Sequence, residues 1–229
     1  MAKHLDLEEQ EQLAELKHFW KRYGNIISWL LIVVFGAVAA WNGYQYWQRT
    51  QSAKASVMYD EVERAAVAGD LPKVERALGD MKERFARTAY AEQAALLAAR
   101  VFYEKGNVDA AKGALAWVAS KGSDEGYQAI AKLRLSGILL EAKAYDEALA
   151  QLDGKLPKEF SALAADRRGD ILMAQSKKEQ AKAEYQAAYK EFDDRSEYRR
   201  LVEVKLNALG VDPAPSASAG APSASEPKK

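Results

Sequence analysis

Residues 23–48 contain no Asp, Glu, Lys or Arg, and within 26–41 the only hydroxyl or amide side chain is Ser28. A helix rises about 1.5 Å per residue, so roughly 20 apolar residues cross the hydrocarbon of a bilayer. The run predicts one transmembrane helix over 24–47, and the fold of the rest has to accommodate it. Aromatic rings crowd both ends: Trp20 and Tyr23 before it, then Trp41, Tyr44, Tyr46 and Trp47. Amphipathic rings settle at headgroup level, and four of the five Trp of the chain lie in or beside this segment. Ala37, Val38 and Ala39 form an A-x-A that resembles a signal-peptidase site. Against cleavage stand the length of the preceding arm, its acids Asp6, Glu8, Glu9, Glu11 and Glu15, and the uncharged residues that continue past the cut. The expectation is a retained anchor.

Cationic flanks resist translocation, so they orient a span. Lys3, Lys17, Lys21 and Arg22 precede it; Arg49, Lys54 and then Arg64 follow. The bias predicts a single-pass type II protein with residues 1–23 cytoplasmic and the large C-terminal part outside the cytoplasmic membrane, which in a Gram-negative cell means an inner-membrane anchor and a periplasmic domain. In the arm, Leu13, Leu16, Phe19 and Trp20 recur at helical spacing among charges, which predicts a short amphipathic helix entering the membrane. Membrane lipid or the cytoplasmic face of a partner would meet it; the equal alternative is a helical extension that only sets the anchor. Inside the span, Gly36, Ala40 and Gly43 form a small-residue stripe, a candidate contact for another membrane helix.

Composition excludes several chemistries. Thirty-three basic residues balance 33 acidic ones with no basic run, which argues against a nucleic-acid partner. There is no Cys, hence no disulfide, thiolate nucleophile or Cys-ligated metal. The two His, His4 and His18, both precede the apolar run. No Gly-rich phosphate loop, G-x-S-x-G or H-E-x-x-H occurs. No catalytic, cofactor-binding or metal-binding residue is therefore assigned; acid runs such as Glu191-Phe192-Asp193-Asp194 fit a solvated face.

From about residue 53 to 209 the pattern is helical and rich in Ala. Four helix-turn-helix units align on Val74, Ala111, Ala148 and Ala181, spaced 37, 37 and 33 residues apart. That period suits the tetratricopeptide class, in which two antiparallel helices cannot bury their apolar faces alone and so stack. Twelve residues before these positions stand Val62, Ala99, Ser136 and Gly169; four after stand Leu78, Leu115, Leu152 and Tyr185. Small residues in the first set would let two helices approach, and large ones in the second would fill the gap. Gly69-Asp70 and Gly106-Asn107 mark turns; Lys143-Ala144 and Ser176-Lys177 are weaker signals. The first unit is the most degenerate, with Glu61 where Leu is usual. A last helix, about 196–209, would cap the stack. The expected architecture is all-α: a transmembrane helix followed by a tetratricopeptide-like solenoid over 48–210.

In such a stack the first helix of each pair lines a concave groove. On the third of these helices Leu135 and Leu139 continue the packing register, while Ile130, Leu133 and Leu140 lie on another side. Equivalent groove positions elsewhere are Tyr59, Leu96, Arg100, Tyr103, Leu163, Asp166, Asp170 and Met173. An apolar lining with scattered charges suits an extended or unfolded polypeptide better than a small metabolite. The other reading of these residues is plain core between hairpins.

Several stretches are more specific. The arm 11–20 with Lys21-Arg22-Tyr23-Gly24, Leu133-Arg134-Leu135, Tyr145-Asp146-Glu147-Ala148-Leu149 and Arg168-Gly169-Asp170-Ile171-Leu172 resemble the YfgM family of bacterial inner-membrane proteins. The resemblance covers about residues 8–210. It implies an ancillary subunit of the SecYEG translocon that associates with a PpiD-like periplasmic chaperone and meets translocating polypeptides. It supplies no catalytic residue. A membrane-anchored scaffold for another envelope assembly, in cell division or outer-membrane biogenesis, is the alternative reading of an anchored repeat domain. Whether the chain forms a homodimer is left open. Residues 211–229 hold four of the six Pro among Ala, Ser and Gly, a composition expected to stay disordered.

Overall fold

A computed structural model of the chain describes residues 7–213 apart from position 155. Lys3, His4, Asp6 and the tail from residue 214 onward lie outside the described residues. All regular structure within them is helical: α1 (Leu7–Ala68), α2 (Leu71–Phe85), α3 (Ala89–Glu104), α4 (Val108–Lys121), α5 (Glu125–Glu141), α6 (Tyr145–Leu152), α7 (Lys158–Ala174), α8 (Lys178–Glu191) and α9 (Glu197–Ala208). The chain divides between Lys54 and Ala55 into two compact units.

In the first unit the expected arm and apolar span are both parts of α1, which has no break between them. It is the one helix among the described residues long and apolar enough to cross a membrane. Its apolar side chains stand outward, Ile26 at 65% and Phe35 at 67% exposure. Rings pair along the helix surface at both ends of the span, Phe19 with Tyr23 at 5.1 Å and Tyr44 with Trp47 at 6.1 Å between centroids. The Trp20 indole lies over Gly24, where a Cβ would come within 3.1 Å of it. A Cβ at Gly36 or Gly43 would meet nothing within 4 Å, and both glycines and Ala40 are exposed.

The second unit is a stack of hairpins. The last part of α1 shares the main core cluster with α2 through Val62, Ala65, Val74 and Leu78; α3 pairs with α4, α5 with α6, and α7 with α8, and α9 packs on α8. All three aligned sets are buried: Val74, Ala111, Ala148 and Ala181; Leu78, Leu115, Leu152 and Tyr185; and Val62, Ala99, Ser136 and Gly169. Glu61, one residue from buried Val62, faces solvent. That is why an acid is tolerated there. The closest approach is at Gly169, where a Cβ would lie 2.4 Å from Cε1 of Tyr185. The ring occupies the space that Gly vacates, and its hydroxyl donates to Asp170 at 2.8 Å.

The turns inside the four hairpins share one geometry. Gly69, Gly106, Lys143 and Ser176 all have left-handed φ, at 67°, 79°, 61° and 61°. The residue after each donates its N–H back to the carbonyl five positions earlier: Asp70 to Ala65 at 3.1 Å, Asn107 to Phe102 at 2.8 Å, Ala144 to Leu139 at 2.9 Å, Lys177 to Leu172 at 2.9 Å. This is the Schellman closure of a helix C-terminus. The same residue is the N-cap of the next helix, so one helix ends and its partner begins within two residues. Asp70 and Asn107 also cap with their side chains, accepting from Lys73 N at 3.2 Å and Ala110 N at 3.3 Å. Ala144 and Lys177 make no side-chain cap.

Between hairpins, Glu92 of α3 is fully buried. Its Oε1 accepts from both the backbone N–H and the hydroxyl of Ser123 at 2.6 Å, tying α3 to the loop between α4 and α5.

Two outcomes follow from the turns and the close approach. Left-handed φ costs a residue with a Cβ about 1–2 kcal/mol, so Lys143→Gly and Ser176→Gly should each raise unfolding free energy by roughly 1 kcal/mol in urea titrations. Gly169→Ala forces a methyl into the Tyr185 ring and should lower it by about 1–3 kcal/mol. Stabilisation by Gly169→Ala would refute the packing described.

Candidate functional site

The first helices of the later hairpins form the walls of an open cleft of about 610 Å³. Arg100 and Tyr103 come from α3, Ile130, Leu133, Arg134 and Glu141 from α5, and Phe160, Leu163, Asp166 and Arg167 from α7. Successive first helices lie side by side in a hairpin stack, so residues a repeat apart converge on one concavity. Of the positions expected from sequence, Arg100, Tyr103, Ile130, Leu133, Leu163 and Asp166 meet here.

The others do not. Leu96 is buried in the main core cluster, and Leu140 packs against it. Tyr59 also packs there, its ring 6.0 Å from that of Tyr90; burial first, then the charge of Glu63, pushes its hydroxyl pKa up. Met173 lies against the smaller cluster formed by α7, α8 and α9. Asp170 sits in an ion cluster beside the cleft. Sequence reasoning missed Arg134, Glu141, Phe160, Arg167 and Tyr198, all of which line it. Arg134 and Glu141 were within reach, since they lie one and eight residues from Leu133 on the same helix. Tyr198 was not, because it belongs to the capping helix α9 and shares no repeat position with the rest.

Electrostatics divide the lining in two. The acids are engaged from within. The Tyr103 hydroxyl donates to a Glu141 carboxylate oxygen, and that bond, followed by desolvation, raises the Tyr103 pKa. Lys205 Nζ of α9 bridges Asp166 and Asp170 at 2.7 Å each and lies 5.2 Å from the centroid of the Tyr185 ring. Burial is the largest influence on Asp166 and holds its carboxyl above the usual range; Asp170 adds to this, while Lys205 and Arg167 oppose it. Tyr185 is likewise pushed up, first by burial and then by its bond to Asp170. Arg100 pairs with exposed Glu104 on its own helix at 2.7 Å. Among the described residues no group of three or more His, Asp or Glu is placed to hold a metal ion. The lining combines apolar side chains with charged groups on the same three helices.

Fold and cleft define a helical-hairpin repeat protein that carries one helix fit for a membrane. The family model described as a tetratricopeptide repeat-like domain matches residues 17–211. A protein of Neisseria gonorrhoeae named "Ancillary SecYEG translocon subunit" is 33% identical over 91% of this chain and 100% of its own length. Proteins of the same name from Haemophilus influenzae and Escherichia coli are 29% and 26% identical over 89% of this chain, and over 98% and 97% of their own lengths. The chain belongs to this YfgM family of tetratricopeptide repeat-like proteins. No solved structure matches it.

The raised Asp166 pKa has a definite sign. Its protonated form is favoured by folding, so its contribution is full below the ordinary carboxylate value and is lost as pH rises through the raised one. Relative to Asp166→Asn, the wild type should therefore lose stability as pH climbs from about 4 towards neutrality. Urea midpoints of the two proteins across that range test it; a wild type that gains on the variant would show that the Lys205 bridge outweighs burial.

Proposed function

We propose that the chain is a non-enzymatic ancillary subunit of the SecYEG translocon, held in the inner membrane by α1. Its hairpin stack lies on the periplasmic side. There its cleft transiently holds segments of polypeptides leaving the channel, in company with a PpiD-like chaperone. The observation that carries the subunit reading is the match along about nine-tenths of the chain to relatives named ancillary SecYEG translocon subunits. Two features of the molecule support it. A helix with its apolar side chains outward is stable in lipid and unfavourable in water. An open cleft with Ile130, Leu133, Phe160 and Leu163 on its walls offers apolar contact to an extended chain without enclosing it.

Tethering removes the need for tight binding. A short linker can raise effective concentration to the order of millimolar, so a weak, quickly released contact suffices at a channel exit.

The test is site-specific photocrosslinking in intact membranes during export. Probes at Tyr103, Leu133 and Leu163 should capture translocating chains, whereas probes at Leu140 and Met173, outside the cleft, should not. Deleting residues 1–48 should abolish co-purification with the channel. Protease added to spheroplasts should digest the hairpin region and spare the leading residues. Equal capture inside and outside the cleft would sink the groove; crosslinks confined to division or outer-membrane assembly proteins would favour the scaffold alternative.

A further inference from the structure

Two arginines of the cleft are left unused by the fold. Arg134 of α5 and Arg167 of α7 line it, and among the described residues neither makes an ion pair or a side-chain hydrogen bond. Their placement is specific. Arg134 is exposed, one helical turn before Gly137. The Arg167 guanidinium lies against Gly137, its Nη1 3.6 Å from where a Cβ would stand. Glycine inside a helix is unfavourable by about 0.5–1 kcal/mol relative to Ala, and here it leaves the α5 backbone open beside this side chain.

The acids nearest these cations make their direct contacts with other groups, although Arg167 still acts on Asp166 through space. Asp166 is bridged by Lys205, and Glu141 accepts from Tyr103. Arg100 already has Glu104. The lining therefore presents two guanidiniums with no carboxylate in direct contact, beside apolar side chains of the same helices. A guanidinium is a planar fork of N–H donors matched to a carboxylate, and such bonds are stronger than neutral ones.

We propose that the cleft selects extended apolar segments that carry a carboxylate side chain, Asp or Glu, which Arg134 and Arg167 bind while neighbouring apolar residues of the segment lie on Ile130, Leu133 and Leu163. This rests on the cleft being a polypeptide site and adds its chemical preference. The same pair disfavours segments rich in Lys or Arg, since like charges would be brought together. The preference is electrostatic and weakens as salt screens the rim.

The experiment uses the full chain in phosphatidylcholine nanodiscs, whose lipids carry no net charge, and measures fluorescence anisotropy of labelled extended peptides. Three peptides share one apolar pattern and differ only in carrying two Asp, two Asn or two Lys. The Asp peptide should bind about tenfold tighter than the Asn peptide, and the Lys peptide weakest. Added salt should weaken the Asp peptide selectively. In the Arg134→Gln, Arg167→Gln double variant the Asp and Asn peptides should bind to within about twofold of each other. Arg134→Gln alone, on an exposed side chain that folding does not need, should lose part of the preference, and Arg134→Lys should keep most of it. Equal binding of Asp and Asn peptides by the wild type, or a preference that survives the double variant, overturns the selectivity and leaves the polypeptide site standing. Absence of binding by all three peptides overturns both.

Discussion

A single left-handed residue between two helices sets the rest of the second unit. Because Asp70, Asn107, Ala144 and Lys177 each close one helix and cap the next, the two helices of a hairpin run antiparallel, with no slack to choose another geometry. A hairpin so closed has one face covered by its own partner and another that only the next hairpin can bury. The stack follows, and with it a concave side built from the first helices of the later hairpins. Repetition of this turn matters more than repetition of any side chain: Gly, Gly, Lys and Ser occupy the left-handed position with nearly the same φ. Lys143 and Ser176 adopt it because the surrounding hydrogen bonds and packing over-determine it.

Sequence made the register legible and left depth obscure. The spacing of Val74, Ala111, Ala148 and Ala181 marks buried positions because an apolar residue recurring at fixed helical phase is a packing statement. Gly169 and Tyr185 exchange volume across the fourth hairpin, which a pair of aligned positions can suggest. Phase alone does not say how far a side chain stands from the concave surface. Leu96 is four residues before Arg100, on the same stripe, yet is core. Leu140 and Met173 share their helices with cleft residues and still pack inward. Tyr198 was invisible as a lining residue for a different reason: α9 follows the last repeat and is brought over the cleft by tertiary contact, which no period encodes. Helical periodicity also carries no mark of a membrane boundary, so arm, span and the start of the first hairpin merge in α1 although their compositions differ sharply.

Charge is used in two ways. Glu92 and the Lys205 cluster are inward devices. One satisfies the backbone of a loop between hairpins; the other fastens α9 to α7 through two carboxylates. A partly buried ion pair seldom adds much net stability, because desolvation opposes it, but it fixes one arrangement over others. The raised Asp166 pKa expresses that opposition, since burial leads its causes even with a lysine at 2.7 Å. Arg134 and Arg167 are the outward counterpart, lining the cleft with no acid in direct contact.

These two uses meet at the capping helix. The end of a repeat stack ordinarily presents a polar face to water. On α9, Val202 and Leu206 are buried in the smaller core cluster, while Tyr198, Leu201 and Val204 are 56%, 57% and 65% exposed. Tyr198 is at once part of that apolar outer face and part of the cleft wall. Lys205, one helix turn beyond Leu201, holds α9 to Asp166, which lines the same cleft. The cap thus closes the hydrophobic core, supplies an aromatic wall to the cleft, and withdraws an acid from its lining, all through one helix of 12 residues. Through Lys205 and Asp166 the position of α9 is tied to the charge of the cleft wall.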